Sequence, residues 1–427
     1  MIFLTGGTGF LGRELLARLL LLYPNEKIGV LVRKSADSDS HVRVREILQT
    51  IIDPMDLSDA AERVEVIEGD ISEFNFGLGD GEFDALAKRC TAIFHSAATT
   101  TLNQDRVTAE RINVSGTAHV VALASRAHEL GNERLFLNHI STAYVAGNSS
   151  AIVTPDNLDL NVPFRNAYER SKAEAETLVR AISDKMPTCV FRPSIIVGDS
   201  KTGRTSAFNV IYIPARLLVQ GVFLKFPALP NIPFDIVPVD YAADAIVTLS
   251  ALHRHLGEKS GRCYHICAGV NRESTPWEIL ELLISTVNKY RKRGGLLSMP
   301  SLVPPEVLSV AHHSFSAGVK ILERMVTARL NVFRQTLPFI PYMMNNPRFD
   351  ISDTVKDLAL ARSMHGALMS NSQFNMEKNL SSSRLILPSD ENILSQPPLF
   401  SSYAERVFKF CIDTNWGKNP LPSHLTA

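Results

Sequence analysis

Tyr168 and Lys172 stand four residues apart within AYERSKAEAETLV, a segment whose composition favours helix. At this spacing a helix brings the phenol and the ammonium onto one face, where both can address a single oxygen atom. A tyrosine with a pKa of about 10 is a poor acid–base group near neutral pH. A neighbouring cation favours the phenolate and shifts the group toward working pH, so proton transfer is the chemistry expected of the pair. Earlier in the chain, a strand expected from Leu135 to Ile140 ends in Ser141-Thr142-Ala143-Tyr144. Thr142 would add a hydroxyl hydrogen bond to the same oxygen. Tyr23 and Lys27 match the spacing too, but Pro24 interrupts them and the pair falls in a turn, which sets it aside.

The first dozen residues, MIFLTGGTGFLG, say what such a site would work with. An apolar strand breaks into a glycine-rich turn and then into a helical segment, with Gly6, Gly9 and Gly12 spaced GxxGxxG. Glycines here let the backbone turn sharply, approach a pyrophosphate and pack the helix on the strand. The helix N-terminus then offers free N–H groups to phosphate. Thr5, Thr8, Phe10 and Leu11 complete this stretch and are cofactor-binding candidates with the glycines. The next strand, Ile28 to Val32, ends in Arg33 and Lys34. About 20 residues beyond the glycine loop a fold that prefers NAD places an acid on the ribose 2′-hydroxyl. Arg33 stands there instead, and an arginine suits a 2′-phosphate, so NADPH is the expected cofactor. Its oxidised nicotinamide would add to the positive charge of Lys172 beside Tyr168.

The elements that must position these groups follow in order. Val64 to Ile67 leads into Asp70 and Ile71, where a strand-end acid can reach an adenine edge or simply form a turn. Ala92 to His95 delivers Ser96, Ala97 and Ala98, small enough for a dinucleotide to pass close to the backbone. A helix is expected around Asn113 to Ser125, and a strand from Leu135 to Ile140. Strands alternating with helices imply an α/β chain with a doubly wound parallel Rossmann sheet, joined by right-handed crossovers to a smaller, mostly helical substrate-binding domain. The expected division is 1–200 plus 235–255 for nucleotide binding, 201–234 plus 256–368 for substrate, and 369–427 for a polar linker and terminal helix.

TGGTGFLG, the HSAA strand end, the STA element, YERSK and RPSIIVG together resemble an extended short-chain dehydrogenase/reductase. GFLG, LVRK and HSAAT are most similar to the fatty acyl-CoA reductase (male-sterility) and thioester reductase group, over roughly residues 1–270. The resemblance implies that Gly6, Gly9 and Gly12 meet the pyrophosphate, that Arg33 meets the 2′-phosphate, and that Thr142, Tyr168 and Lys172 form the catalytic trio. Ser141 could take the role of Thr142. Asn113 would be a structural or proton-relay residue, and Pro193-Ser194-Ile195 would lie over the nicotinamide. The implied activity is NADPH-dependent reduction of an acyl thioester, on coenzyme A or a carrier protein, to aldehyde or alcohol. Two alternatives stand beside it. One is another extended-family enzyme, such as a sugar-nucleotide epimerase or dehydratase or a hydroxysteroid-type dehydrogenase. The other is a sensor that binds NADPH without turnover; such a sensor would be expected to lose the tyrosine or lysine present here.

Composition narrows the partners. Lys plus Arg balances Asp plus Glu at 44 each in 427 residues, so no global charge draws the chain to nucleic acid. Five scattered cysteines suit a reducing compartment rather than a disulfide framework, and Cys263 and Cys267 lack the further ligands a zinc site needs. No signal peptide fits before the first strand, and no apolar run reaches about 18 residues. The expectation is a cytoplasmic protein without metal, with membrane contact at most peripheral. In the second half, the polar loop GDSKTGRTSAFN reads as flexible, with Lys201 and Arg204 able to meet coenzyme A or phosphopantetheine phosphates. Residues 210–238 are rich in apolar and aromatic side chains, as pocket walls are. Thr275-Pro276-Trp277-Glu278 is a capping box that starts a helix running to the basic cluster 289–293, cations that favour a helix C-terminus on their own account or a place where an acidic carrier could dock. Residues 305–344 alternate apolar and basic, suiting a core-facing helix, a tunnel cap or a membrane surface. Residues 370–396 read as a polar linker, and Tyr403 to Trp416 as a helix that docks back on the body.

Overall fold

Strands that are buried at every position must be covered on both faces, and the chain builds its sheet around such segments. In a computed structural model, which describes residues 1–35, 38–51, 57–133, 135–208, 210–221, 225–257, 261–291, 295–304, 337–372 and 395–418, seven strands pair in parallel. They are β1 (Ile2–Thr5), β2 (Ile28–Val32), β3 (Val64–Glu68), β4 (Ala92–His95), β5 (Phe136–Ile140), β6 (Thr188–Pro193) and β7 (Arg262–Ile266). Their spatial order is β3-β2-β1-β4-β5-β6-β7. Leu4 of β1 lies between Val30 and Phe94. The order reverses between β1 and β4, the place where doubly wound folds hold their ligands.

Helices close both faces. Leu15, Leu16 and Leu19 of helix Phe10–Leu22 join Ala242, Ile246 and Leu249 of helix Val239–Leu256 in one core. Phe83, Leu123 and Val179, from helices Asp80–Arg89, Gly116–Glu129 and Ala167–Arg180, join the core on the other face. The α/β, parallel Rossmann architecture expected from the sequence is the one observed. β7 is an addition that the sequence reading does not contain. Its residues RCYHI mix polar and apolar side chains, and it is an edge strand paired with β6 alone. Helix Ser352–Ser372 contributes Leu358 and Ala361 to the sheet's core.

A third apolar cluster underlies the second half. Leu280, Leu283 and Val287 of helix Pro276–Tyr290 pack with Val407, Phe408 and Cys411 of helix Ala404–Asp413. The first of these helices starts as its sequence dictates. Thr275 accepts from the Glu278 N–H at 3.2 Å while Glu278 accepts from the Thr275 N–H at 2.9 Å. The terminal helix docks on the body as expected. Among the described residues no helix is long and apolar enough to cross a membrane. Of the stretch read as apolar and basic, 305–336 lies outside the described residues, while Leu337–Met343 forms a short 3-10 helix with Phe339, Tyr342 and Met343 buried. Most of the polar linker, 373–394, and residues 292–293 of the basic cluster also lie outside them.

The loop after Gly198 corrects its reading as flexible. Asp199 Oδ1 accepts from the N–H groups of Lys201 and Thr202 at 2.9 and 2.7 Å, and Arg406 Nε donates to the Ser200 carbonyl at 2.6 Å. The polar residues that suggested mobility instead fold the turn onto the terminal helix. Gly203, at φ +74°, is where the two meet: a Cβ there would lie 2.1 Å from the Arg406 carbonyl oxygen. Gly203→Ala should therefore lower the unfolding free energy in urea denaturation by more than the roughly 1–3 kcal/mol of backbone strain alone. Gly131→Ala, at φ +86° with open space around it, measures that strain without the collision and should lose less.

Candidate active site

The glycine loop follows from the close approach of three backbones. β1 ends at Thr5, the chain turns at Gly6 with φ +73°, and the Gly9 N–H donates to the Gly6 carbonyl at 2.9 Å. A Cβ on Gly12 would fall 1.9 Å from that same carbonyl oxygen, and one on Gly6 would fall 2.6 Å from the Ala97 nitrogen. Helix Phe10–Leu22 begins here without a side-chain cap, so its first N–H groups and positive dipole end are available to an anion. This cradle fits the pyrophosphate of a dinucleotide. Thr5 serves elsewhere. Fully buried, its hydroxyl accepts from the Ala97 N–H at 3.2 Å and shares a 2.8 Å hydrogen bond with His95 Nδ1.

A cavity of about 350 Å³ joins this loop to the second cluster, a volume within the range of cofactor and ligand clefts. It brings together Gly6, Gly9, Phe10, Leu11 and Gly12 with Ser96, Ala98, Ser141, Thr142, Tyr168, Lys172, Pro193, Ser194 and Ile195. Thr142 follows β5, and Tyr168 and Lys172 lie in the first two turns of helix Ala167–Arg180, which Asn166 caps through the Glu169 N–H at 3.0 Å. Lys172 Nζ donates to the Ile140 carbonyl at 2.6 Å. Burial lowers the Lys172 ammonium to about 8, opposed by the charge of Glu176.

Tyr168 departs from the expected downward shift. Burial pushes its phenol up to about 12, a hydrogen bond with Thr142 pulls the other way, and Glu169 adds to the rise. The physical reason is that the buried phenol loses its hydration, which outweighs the hydrogen bond with Thr142. A phenol raised in this way stays neutral near pH 7 and can donate a hydrogen bond.

Ser141 and Thr142 differ in their partners, and a buried carboxylate makes the difference. Glu176, one turn beyond Lys172 and inaccessible to solvent, accepts from Ser141 Oγ at 2.7 Å. It also takes the Arg192 guanidinium at 3.0 and 2.8 Å and Arg180 Nε at 2.8 Å. Although burial pushes its carboxyl up, Arg192, Arg180 and Ser141 hold it below the ordinary range. Ser141 is thus committed to Glu176, leaving Thr142 as the hydroxyl paired with Tyr168. Glu176 and Arg192 were absent from the sequence-derived candidates, although Tyr168, Lys172 and Glu176 recur at i, i+4 and i+8 on one helix face.

Other candidates fall around the cavity rather than in it. Asn113 sits in a π-helical turn, Glu110–Ser115, where its side chain accepts from the Thr99 N–H at 2.9 Å and donates to Ser171 Oγ at 2.9 Å. It ties the β4 loop to the helix of Tyr168. Asp70 takes its turn-forming alternative, with Oδ1 accepting from the N–H and hydroxyl of Ser72, both at 2.8 Å. Ile71 is buried against Gly116. Thr8 lends its carbonyl to Arg13 Nη2 at 3.2 Å. Arg33 is exposed at the end of β2, and Lys34 pairs with Glu68 at 3.4 Å. Arg43, which the sequence reading missed, donates to the Arg33 carbonyl and stands beside Ser40 Oγ at 3.3 Å. Lys201 and Arg204 do not line the cavity, and among the described residues no group of side chains could hold a metal.

The sequence model of the family described as "Male sterility protein" matches residues 4–246. The chain is 32% identical over 268 residues to a non-canonical nonribosomal peptide synthetase of Aspergillus campestris, an alignment covering 60% of this chain and 25% of that protein. It is 27% identical over 283 residues to a putative fatty acyl-CoA reductase of Drosophila melanogaster, covering 58% and 51%. The chain therefore spans a quarter to a half of these relatives' lengths. In fold it is similar to the terminal R domain of the myxalamid PKS-NRPS biosynthetic pathway, with a TM-score of 0.71 at 20% identity, covering 98% of this chain and 92% of that one.

The buried pair makes a measurable demand on stability. Removing one partner of such a pair typically costs about 3–5 kcal/mol, whereas replacing both by apolar residues of similar size is often nearly neutral. Glu176→Gln should show a loss of that order in urea denaturation, and Glu176→Leu combined with Arg192→Met should recover most of it.

Proposed function

The chain belongs to the male sterility protein family and is an oxidoreductase with an NAD(P)-binding domain, and from that premise we propose that it reduces acyl thioesters with NADPH. The observation that carries this reading is the single cavity in which the glycine cradle meets Thr142, Tyr168 and Lys172 and continues between Leu102, Ile211 and Tyr212. Relatives described as a fatty acyl-CoA reductase and as nonribosomal peptide synthetases support a thioester, on coenzyme A or a carrier protein, as the substrate. Residues 201–234 and 256–368 are read as the substrate-binding region. Arg33, with Arg43 beside it, is assigned to the 2′-phosphate that distinguishes NADPH.

The dinucleotide, when bound, supplies a hydride to the carbonyl carbon. Tyr168 and Thr142 hydrogen-bond the carbonyl oxygen as it gains charge, and donors fixed in advance contribute most at that point. The raised phenol stays protonated while it does so. Lys172, anchored on Ile140, keeps a positive charge beneath the site. When the thiolate leaves, an aldehyde remains in the same two hydrogen bonds. In a second reduction, to the alcohol, Tyr168 gives its proton to the oxygen.

Purified protein mixed with NADPH and a panel of acyl-CoA and acyl-carrier thioesters should lose reduced-nicotinamide absorbance; no loss with any thioester or aldehyde would sink the proposal. Tyr168→Phe should keep NADPH affinity while turnover falls by about 10²–10⁴-fold. Arg33→Ala should weaken NADPH by about tenfold, the scale of one charge-assisted contact, and leave NADH binding unchanged. Because Lys172 titrates near 8, the proton is present below that pH and lost above it. Turnover is expected to decline as pH rises through about 8.

A further inference from the structure

We infer that Tyr342, which lies outside the family-matching stretch 4–246, is the residue that sets which acyl groups the catalytic pocket accepts. The inference rests on the reading of this cavity as a thioester reductase site. Tyr342 lines the same cavity as Thr142 and Tyr168, although it arrives from the short helix Leu337–Met343.

Its ring is fixed from several sides. Tyr144 packs against it edge-on with centroids 5.3 Å apart, and the Arg165 guanidinium lies 4.8 Å from its centroid. The hydroxyl donates to Glu169 Oε1 at 2.6 Å and accepts from Asn166 Nδ2 at 2.8 Å. Asn166 caps the helix of Tyr168, and Glu169 is its next residue. Arg165 and Glu169 form a buried ion pair at 3.0 Å.

Two consequences follow. First, the hydroxyl is occupied by protein groups, so the ring rather than a polar tip is what a substrate meets. An apolar acyl group suits such a wall; a charged one would lose its hydration with nothing in return. Second, a side chain held on three sides cannot move aside, so it limits bulk near the reacting carbonyl. Each methylene that a rigid pocket admits or refuses is worth about 10–200-fold in discrimination.

The test compares two acyl-pantetheines, one linear (hexanoyl) and one branched next to the carbonyl (cyclohexanecarbonyl), by calorimetric Kd in the presence of NADP⁺ and by kcat/KM with NADPH. Tyr342→Leu should raise the branched-to-linear ratio by about tenfold or more, with NADPH affinity unchanged. Tyr342→Phe keeps the ring but releases Glu169 and Asn166; it should lower kcat several-fold and leave the ratio as in the wild type. An unchanged ratio in Tyr342→Leu overturns the inference, as does binding of neither pantetheine by the wild-type chain. Should the wild type bind both but reduce neither, the reductase reading falls, and the Kd ratio alone still decides the role of Tyr342.

Discussion

A carboxylate with no access to water holds this active site in place. Burying an ionised group costs several kcal/mol unless charge and hydrogen bonds replace its hydration, and Glu176 recovers that cost from three elements at once. Ser141 comes from the end of β5, Arg192 from β6, and Arg180 from the next turn of its own helix. Together they fix the rotation of the helix about its axis, and that rotation decides where Tyr168 and Lys172 point. The neighbouring Thr142 can pair with the phenol because Ser141 is spoken for. The environment that orients the site also desolvates it, so burial dominates the shifts of both Tyr168 and Lys172.

Much of the frame was legible from local signals. A strand that breaks into GxxGxxG before a helix has few other uses, and the Thr275–Glu278 capping box marked its helix start to the residue. The i, i+4 relation of Tyr168 and Lys172 needed only helical geometry. Other features were illegible because their causes are distant in sequence. β7 has no apolar run to announce it, since an edge strand needs only one partner. The loop at Asp199 looks mobile in composition, yet its turn is closed against Arg406. The pKa of Tyr168 was misjudged for a similar reason: a spacing reveals a neighbouring cation, whereas the loss of water around the phenol appears only once the chain has folded.

The site is assembled from both halves of the chain. The matched family segment ends at residue 246, and it contains the glycine loop, β5 and the helix of Tyr168. Tyr342 closes the cavity from beyond that limit, through an ion pair and a cap that belong to the same helix. The cavity lining is thereby drawn from both stretches, joined where Tyr342 meets Glu169 and Asn166.

The π-helical turn at Glu110–Ser115 has an implication for how such a chain can change. A π-turn holds one residue more than the α-turn it replaces, and here the flanking helical segments continue on either side of it. Removing one residue there would leave a sound α-helix, and the sheet beneath it would be undisturbed. It would also rotate Asn113 by about 100°, away from Thr99 and Ser171, cutting the tie between the β4 loop and the helix of Tyr168. A single-residue deletion in this turn would thus exchange the tie that holds the β4 loop for a more regular helix.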